Sequence, residues 1–216
     1  MTFLSTKAKA AVIIVAAVLV LAVGLVSARA RDAAGPPDEM DGGAVVLARP
    51  MERPSFRLTT TDGARFDFAA QTAGKTALLY FGYLNCPDIC PLHLSNIASA
   101  LRNLTPEERT QVMTVFVTVD PGRDEPDEIR RYLDRFHPDF IGLTGTTDEL
   151  VAAQRAAGVP VAVLGEPDGN GNYDVGHAAQ VIAYGPDGPA WRVYPFGSTL
   201  DDWQRDLPLL IRGELP

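Results

Sequence analysis

The sequence predicts an α/β domain, a central mixed sheet flanked by helices, and three observations lead to this prediction. Two nearly continuous apolar runs, residues 76–83 and 112–119, are typical of strands that are covered on both faces. Apolar residues at helical spacing lie between these runs and again after them. Two later apolar runs flank Gly-Pro-Asp-Gly at residues 185–188, which indicates an antiparallel hairpin.

The N-terminal end of the chain, residues 1–31, predicts a single transmembrane helix. Residues 10–28 carry no charge, and at about 1.5 Å per helical residue they span roughly 28 Å, close to the hydrocarbon core of a bilayer. Lys7 and Lys9 should keep the N-terminus in the cytoplasm and place the domain on the extracytoplasmic side of a bacterial cell membrane. A cleaved signal peptide is the alternative, because residues 27–30 loosely resemble a cleavage site. Both interpretations export the domain.

A linker and a β-hairpin are predicted next. Residues 32–54 are rich in proline, glycine and acidic residues, which is typical of a flexible linker. The folded domain is then expected over residues 55–213. It begins with an N-terminal β-hairpin, because residues 56–60 and 64–68 flank Asp62-Gly63, a strong turn signal.

The remaining elements predict a known arrangement. They are expected at residues 76–83 (strand), 92–104 (helix), 112–119 (strand), 125–136 (helix), 147–157 (helix), 178–184 and 191–196 (hairpin strands) and 201–211 (helix). Either Thr147 or Asp148 is expected to cap the third helix. A parallel β-α-β unit that is followed by an antiparallel hairpin is the thioredoxin arrangement, so a thioredoxin-like fold is expected.

The charge of the chain excludes one class of partner. The chain has 19 basic and 27 acidic residues, a formal net charge of −8. Four of the basic residues and none of the acidic ones lie in residues 1–31, so residues 32–216 carry a formal charge of −12. A domain this acidic repels phosphate backbones, and nucleic-acid binding is therefore not expected.

The two cysteines of the chain, Cys86 and Cys90, lie in the turn that enters the first predicted helix of the domain, residues 92–104. A spacing of four places both sulfurs on one side of the first helical turn, where they can share a metal ion or form a disulfide. The N-terminus of the helix stabilises a thiolate, which favours both metal binding and redox chemistry. A purely structural disulfide would close a loop of only five residues that are neighbours already, so that interpretation is weaker.

The topology brings three distant segments together. The loops after the two parallel strands leave the sheet at its carboxyl edge, where open α/β sheets bind ligands. The strand that begins near Ala178 should run antiparallel to them, so its first residues lie at the same edge. We therefore expect residues 85–91, 120–124 and 174–177 to converge.

Only one of the three histidines is predicted at that edge. His177 should face the cysteines, whereas His93 is expected on the surface of a helix or in its cap, and His137 at a helix end. Two thiolates and one imidazole form a soft donor set that suits Cu(I) and, with a further ligand, Cu(II). Zinc could use the same three ligands, so the residue types alone leave the metal open.

The motifs resemble those of a known family. Residues 80–91, Tyr-Phe-Gly-Tyr-Leu-Asn-Cys-Pro-Asp-Ile-Cys-Pro, are similar to the signature of the Sco/SenC family of cytochrome c oxidase assembly proteins. Residues 119–126, residues 140–145, His177 and residues 185–188 match the family in the same order. The resemblance covers roughly residues 50–200.

The resemblance implies a site, a cargo and partners. It implies that Cys86, Cys90 and His177 bind copper, and that the chain has a single membrane anchor. It also implies that copper received from an upstream donor is delivered to the dinuclear copper centre of oxidase subunit two. Two positions depart from the family pattern: Asn85 stands where histidine is common, and Ala178 stands where a small hydroxyl residue is common.

Two functions therefore compete. A copper metallochaperone, which is not an enzyme, is the expected function. The alternative is a thiol–disulfide oxidoreductase in which Cys86 and Cys90 act as a redox-active pair and keep the cysteines of the oxidase copper site reduced. Such enzymes usually have two residues between their cysteines, whereas this chain has three, which favours coordination. A peroxidase lacks support, and residues 120–124 are expected to form a structural or docking loop.

Overall fold

Strands and helices alternate along the described part of the chain, which is residues 39–41, 43–169 and 172–215 of a computed structural model. The strands are β1 (Glu39–Asp41), β2 (Ala44–Met51), β3 (Arg57–Thr60), β4 (Arg65–Asp67), β5 (Thr76–Gly82), β6 (Val112–Thr118), β7 (Ile141–Thr144), β8 (Val163–Leu164), β9 (Val175–Gly176), β10 (Val181–Tyr184) and β11 (Ala190–Tyr194). The helices are α1 (Phe68–Gln71), α2 (Ile89–Arg102), α3 (Pro106–Arg109), α4 (Pro126–Asp134), α5 (Thr147–Ala156) and α6 (Leu200–Ile211).

A nine-stranded mixed sheet organises these elements, in the order β1-β2-β11-β10-β5-β6-β7-β3-β4. At its centre β5 and β6 run parallel, in register from Thr76↔Val112 to Gly82↔Thr118. β10 lies antiparallel on the other side of β5. All seven residues of β5 are buried, as the continuous apolar run predicts. The parallel unit and the antiparallel hairpin of β10 and β11 are therefore confirmed, and β5 and β6 end at the same edge.

The helices cover the sheet with their apolar sides. α2 packs against α6, α4 against β7, and α5 against β3. Trp203 on α6, Leu94 on α2 and Leu133 on α4 are completely buried. The cap of α5 is Thr146, one residue before the first of the two predicted positions, because its side chain accepts a hydrogen bond from the backbone of Glu149 and forms a capping box.

The predicted linker over residues 32–54 differs from the structure in its second half. Residues 44–51 form β2, which pairs antiparallel with β11 through Val45↔Val193 and Val46↔Arg192. A short run of β-branched and aliphatic residues, Ala-Val-Val-Leu, has enough strand preference to outweigh the neighbouring glycines and prolines. The folded domain consequently begins before residue 55.

Arg53, which also falls in the predicted linker, holds the end of β2 in place. Its guanidinium donates hydrogen bonds to four backbone carbonyls, those of Thr72, Lys75, Gly185 and Gly188, and to the hydroxyl of Thr72. These carbonyls lie in two separate turns, so one side chain joins the turn before β5 to the turn between β10 and β11.

Several short elements were not predicted. β7 pairs parallel with β6 and antiparallel with β3, and so attaches the predicted hairpin of β3 and β4 to the sheet. β8 and β9 form a separate antiparallel pair immediately before His177. This small hairpin places His177 at the edge of the sheet where β5 ends.

The predicted transmembrane helix, residues 10–28, lies outside the described residues. Within the ranges that the structure describes, no helix combines the length and the apolar character that crossing a bilayer requires.

Candidate metal centre

The two cysteines lie where β5 turns into α2. Cys86 is in the turn, and Cys90 is in the first turn of the helix, which begins at Ile89. Asp88 stands at the N-cap position but forms no side-chain capping bond. The backbone N–H of Cys90 instead donates to the sulfur of Cys86 over 3.4 Å. Cys86 therefore occupies the place of a capping acceptor, where a negative charge is favourable.

His177 completes a group of three potential ligands. Its Nε2 lies 4.0 Å from Sγ of Cys90, and the ligand atoms of Cys86, Cys90 and His177 all lie within 4.8 Å of one another. Nδ1 is 2.9 Å from the carbonyl oxygen of Ala178. Because a carbonyl only accepts, Nδ1 carries the proton and the lone pair of Nε2 is left for a metal. Residues 85–91 and 174–177 are thus brought together as predicted, whereas the role of these three residues as ligands stays a prediction.

The pKa values of the two cysteines are shifted in opposite directions. The pKa of Cys86 is lowered to about 3, chiefly because the thiol of Cys90 donates a hydrogen bond to it, and also because His177 and backbone N–H groups surround it. The pKa of Cys90 is raised, because its proton is held in that hydrogen bond and because the side chain is buried. Cys86 is therefore the thiolate of the pair and Cys90 the thiol. Both cysteines are free in this structure, and their predicted disulfide remains a prediction for the oxidised protein.

Tyr80 contacts the ligand group in a way that the sequence did not indicate. Its hydroxyl, at the end of a completely buried side chain, donates to Sγ of Cys90 over 3.1 Å. Burial and the neighbouring Cys90 raise the pKa of Tyr80, so the hydroxyl keeps its proton. In the sequence Tyr80 is one of three hydroxyl-bearing residues of the run 76–83, beside Thr76 and Tyr83, and its position is equally typical of core packing.

The other two histidines lie outside the ligand group. His93 was predicted on the surface of a helix or in its cap, and this is wrong: the residue is only 2 % exposed. Its Nε2 donates to the carbonyl of Ala179 over 3.0 Å, and burial lowers its pKa. His93 lies on the buried side of α2, next to the segment that leads into β10. His137 follows α4 as predicted, and its Nδ1 accepts a hydrogen bond from the backbone of Asp139.

Asp124 fixes the loop that carries the cysteines. One of its carboxylate oxygens accepts hydrogen bonds from the backbone N–H of Leu84, at 3.2 Å, and from the hydroxyl of Thr118, at 2.6 Å. Burial raises the pKa of Asp124 to about 6. The bond to Leu84 ties the metal loop to the end of β6.

Asp120 and Arg123 fix the hairpin that carries His177. Asp120 is buried and accepts hydrogen bonds from the hydroxyl of Tyr173, at 2.7 Å, and from Nε of Arg123, at 2.6 Å. The guanidinium of Arg123 lies 3.5 Å from the centre of the Tyr173 ring. Residues 120–124 therefore act as the structural loop that the sequence predicts, and they hold both ligand-bearing segments without entering the ligand group.

The donor set and its spacing fit a copper ion. Two sulfurs and one imidazole nitrogen are soft donors, which suits Cu(I). With zinc distances as a guide, a metal–sulfur bond of about 2.3 Å and a metal–nitrogen bond of about 2.0 Å can together span the separation of Cys90 and His177. Gly82 leaves room beside the sulfur, because a Cβ at this position would lie 3.0 Å from Sγ of Cys90.

Comparison with known proteins finds one family. The SCO1/SenC family model matches residues 47–211. A "Putative copper-binding protein" of Stutzerimonas stutzeri is 36% identical over 170 residues, which is 78% of this chain and 82% of that protein. "Protein SCO2, mitochondrial" of Saccharomyces cerevisiae is 34% identical over 146 residues, 68% of this chain but only 46% of the yeast protein. The chain thus spans less than half of that relative's length.

A solved structure shares the fold. The "Structure of Bradyrhizobium japonicum ScoI with copper bound" superposes with a TM-score of 0.65 at 30% identity, over 74% of this chain and 99% of that one. The predicted thioredoxin-like arrangement of a mixed sheet and helices is confirmed by this likeness for the described residues.

Proposed function

The chain belongs to the SCO1/SenC family, and from this membership we propose that it binds copper through Cys86, Cys90 and His177 as a metallochaperone of cytochrome c oxidase assembly. One observation carries the proposal. The fold brings the imidazole of His177 within 4.0 Å of a sulfur that lies 87 positions earlier in the chain. Nothing in the hairpin of β8 and β9 requires a histidine there for its own pairing.

The state of each ligand supports the uptake of a soft cation. Cys86 offers a thiolate at neutral pH, and the contact of Nδ1 with the carbonyl of Ala178 leaves Nε2 as the nitrogen of His177 that can bind a metal. Cys90 is the ligand that must lose its proton, and the hydroxyl of Tyr80 then donates to the resulting thiolate. Each copper ion bound should therefore release about one proton.

A copper metallochaperone must also be able to release its copper ion to another protein. Three protein ligands leave a copper ion open to a further ligand, so an incoming thiolate of the recipient can bind before Cys86, Cys90 and His177 are released. The proposed recipient is the dinuclear copper site of oxidase subunit two, and the proposed place of transfer is the extracytoplasmic side of the membrane. The donor of the copper is a further protein partner.

Copper binding to ligand variants tests the proposal. Cys86→Ser, Cys90→Ser and His177→Ala should each weaken Cu(I) binding in competition with a chromogenic chelator. His137→Ala is the matched control, because it removes a histidine outside the ligand group. Wild-type affinity in His177→Ala, with both thiols still essential, would overturn the three-ligand site.

A second function, reduction of the recipient's cysteines, is favoured by the adjacent free thiols and by the lowered pKa of Cys86. Incubation of the reduced, copper-free protein with oxidised subunit two separates the two functions. Rapid thiol exchange that persists in His177→Ala would support the reductase, because disulfide exchange does not require the imidazole. Copper transfer that is lost in the same variant would support the metallochaperone.

A further inference from the structure

A groove next to the cysteine loop is lined by several arginines, although the domain as a whole is acidic. Its volume is about 630 Å³, and Leu84 and Asn85, directly before Cys86, form part of its wall. Arg123, Arg131 and Arg135 also line it, and we name it the arginine groove after these three residues. The volume lies within the roughly 300–1,000 Å³ that is usual for binding pockets.

The carboxylates of the arginine groove do not cancel this charge. Asp124 is turned inward, where it accepts the hydrogen bonds of Leu84 and Thr118. Glu128 lies 3.7 Å from Arg131 in a weak ion pair that is half exposed on both sides. Arg123 is itself paired with Asp120, so Arg131 and Arg135 supply the positive charge of the groove, and the weak pair with Glu128 offsets it only in part.

Two of the arginines are available to an external anion. Arg131 is 68% exposed. Arg135 has no ion pair among the residues that the structure describes, and its guanidinium lies 4.7 Å from the centre of the Tyr132 ring. Stacking on an aromatic ring leaves the edge of a guanidinium free to bind a carboxylate in bidentate fashion.

A second observation comes from the wall of the same groove. Tyr132 is only 6 % exposed, and its hydroxyl has no hydrogen-bond partner within the described ranges. Nη2 of Arg123 is likewise buried without an acceptor. Native proteins rarely leave buried donors unpaired, and both of these belong to residues that line the arginine groove.

We propose that the arginine groove binds a carboxylate-rich segment of the protein that exchanges copper with this chain. The inference rests on the proposed function, because the groove and the metal loop share Leu84 and Asn85. A bound acidic segment would hold the partner beside Cys86 while ligands exchange. Residues 32–216 as a whole carry a formal charge of −12 and repel acidic surfaces, so a local excess of arginine is a favourable place for an acidic segment to bind.

The test uses the full chain and a fluorescein-labelled hexaglutamate peptide, with binding measured by fluorescence anisotropy at low salt. The double variant Arg131→Glu/Arg135→Glu should weaken peptide binding about tenfold or more, because attraction becomes repulsion at two positions. The double variant Arg102→Glu/Arg155→Glu makes the same change of charge at two exposed helical arginines elsewhere and should alter the affinity less than about twofold. Equal losses in the two double variants would overturn the proposal.

Two further binding experiments identify the chemical class of the molecule that the arginine groove binds. Displacement of the peptide by inorganic phosphate at equal charge concentration, or binding of phosphatidylglycerol vesicles that the groove variant abolishes, would each contradict a peptide site. Cu(I) affinity is measured in parallel and should be the same in the groove variant and the wild type. A wild-type protein that binds the peptide but no copper would overturn the metallochaperone and support the groove.

Discussion

The pH profile of alkylation tests the unequal sharing of protons between the cysteines. An ordinary thiol with a pKa of about 8.5 becomes several hundredfold more reactive between pH 5 and pH 8, because its thiolate fraction rises about tenfold per pH unit. Cys86, with its pKa lowered to about 3, is fully ionised over this whole range. Its rate constant for iodoacetamide should therefore stay within about 20 % of one value.

The absolute rate of alkylation is a poor test of the lowered pKa of Cys86, whereas the change of that rate with pH is a good test. A thiolate of low pKa is also a weaker nucleophile, by a factor of several hundred for a shift of this size, which offsets its larger ionised fraction near pH 6. Partial burial slows the reaction further, but equally at every pH. Only the dependence on pH separates a permanent thiolate from an ordinary thiol.

The assay quenches timed reactions of the reduced, copper-free protein and assigns each adduct by fragment-ion mass spectrometry. Cys86 should be modified first, and Cys90 should stay unmodified at pH 6. In Cys90→Ala the largest cause of the lowered pKa is gone, so a dependence on pH should return, whereas Cys90→Ser retains a hydroxyl donor and should keep the profile flat. A tenfold rise per pH unit for Cys86 in the wild type would refute the reasoning.

Three further predictions concern residues around the site and the end of β2. Tyr80→Phe should lower the Cu(I) affinity about tenfold in chelator competition, because the charge-assisted bond to Cys90 contributes about 1.5–3 kcal/mol; unchanged affinity would show that the hydroxyl only fills space. Gly82→Ala should cost about 1–3 kcal/mol in urea unfolding and also weaken copper binding, because the new Cβ would lie 2.8 Å from the Phe116 ring; a loss of stability without loss of copper would separate the two effects. Arg53→Met should lower the free energy of unfolding by about 2–4 kcal/mol, because it leaves backbone carbonyls unpaired; a melting temperature equal to that of the wild type would contradict this role.

The direction of the strands made the site predictable. Once residues 76–83 and 112–119 were identified as parallel strands and residues 178–184 as an antiparallel one, the edge that holds Cys86 and His177 followed from connectivity. No side-chain detail was needed for that step. The hydrogen bond from Tyr80 was beyond sequence reasoning, because the residue also satisfies the pattern of a buried strand.

The strands that the sequence did not predict have a weak local preference for strand structure, and packing against distant parts of the chain decides their conformation. β7 is four residues long and contains Gly142, which weakens the strand preference of the segment. In the fold a Cβ at Gly142 would lie only 2.7 Å from the side chain of Ile129, so the close approach of α4 explains the glycine. β2 follows two glycines, contains Arg49-Pro50 and is followed by Arg53-Pro54, so it depends on its partners β1 and β11 for its strand conformation. Information about neighbouring strands is absent from a local window of sequence.

The ring of His177 is oriented by its own neighbour, since Nδ1 donates to the carbonyl of Ala178. Every amino acid presents that carbonyl, so the orientation of the imidazole toward the sulfurs does not depend on a hydroxyl group at position 178. With only a methyl group at Ala178, the backbone alone selects the tautomer that coordination requires.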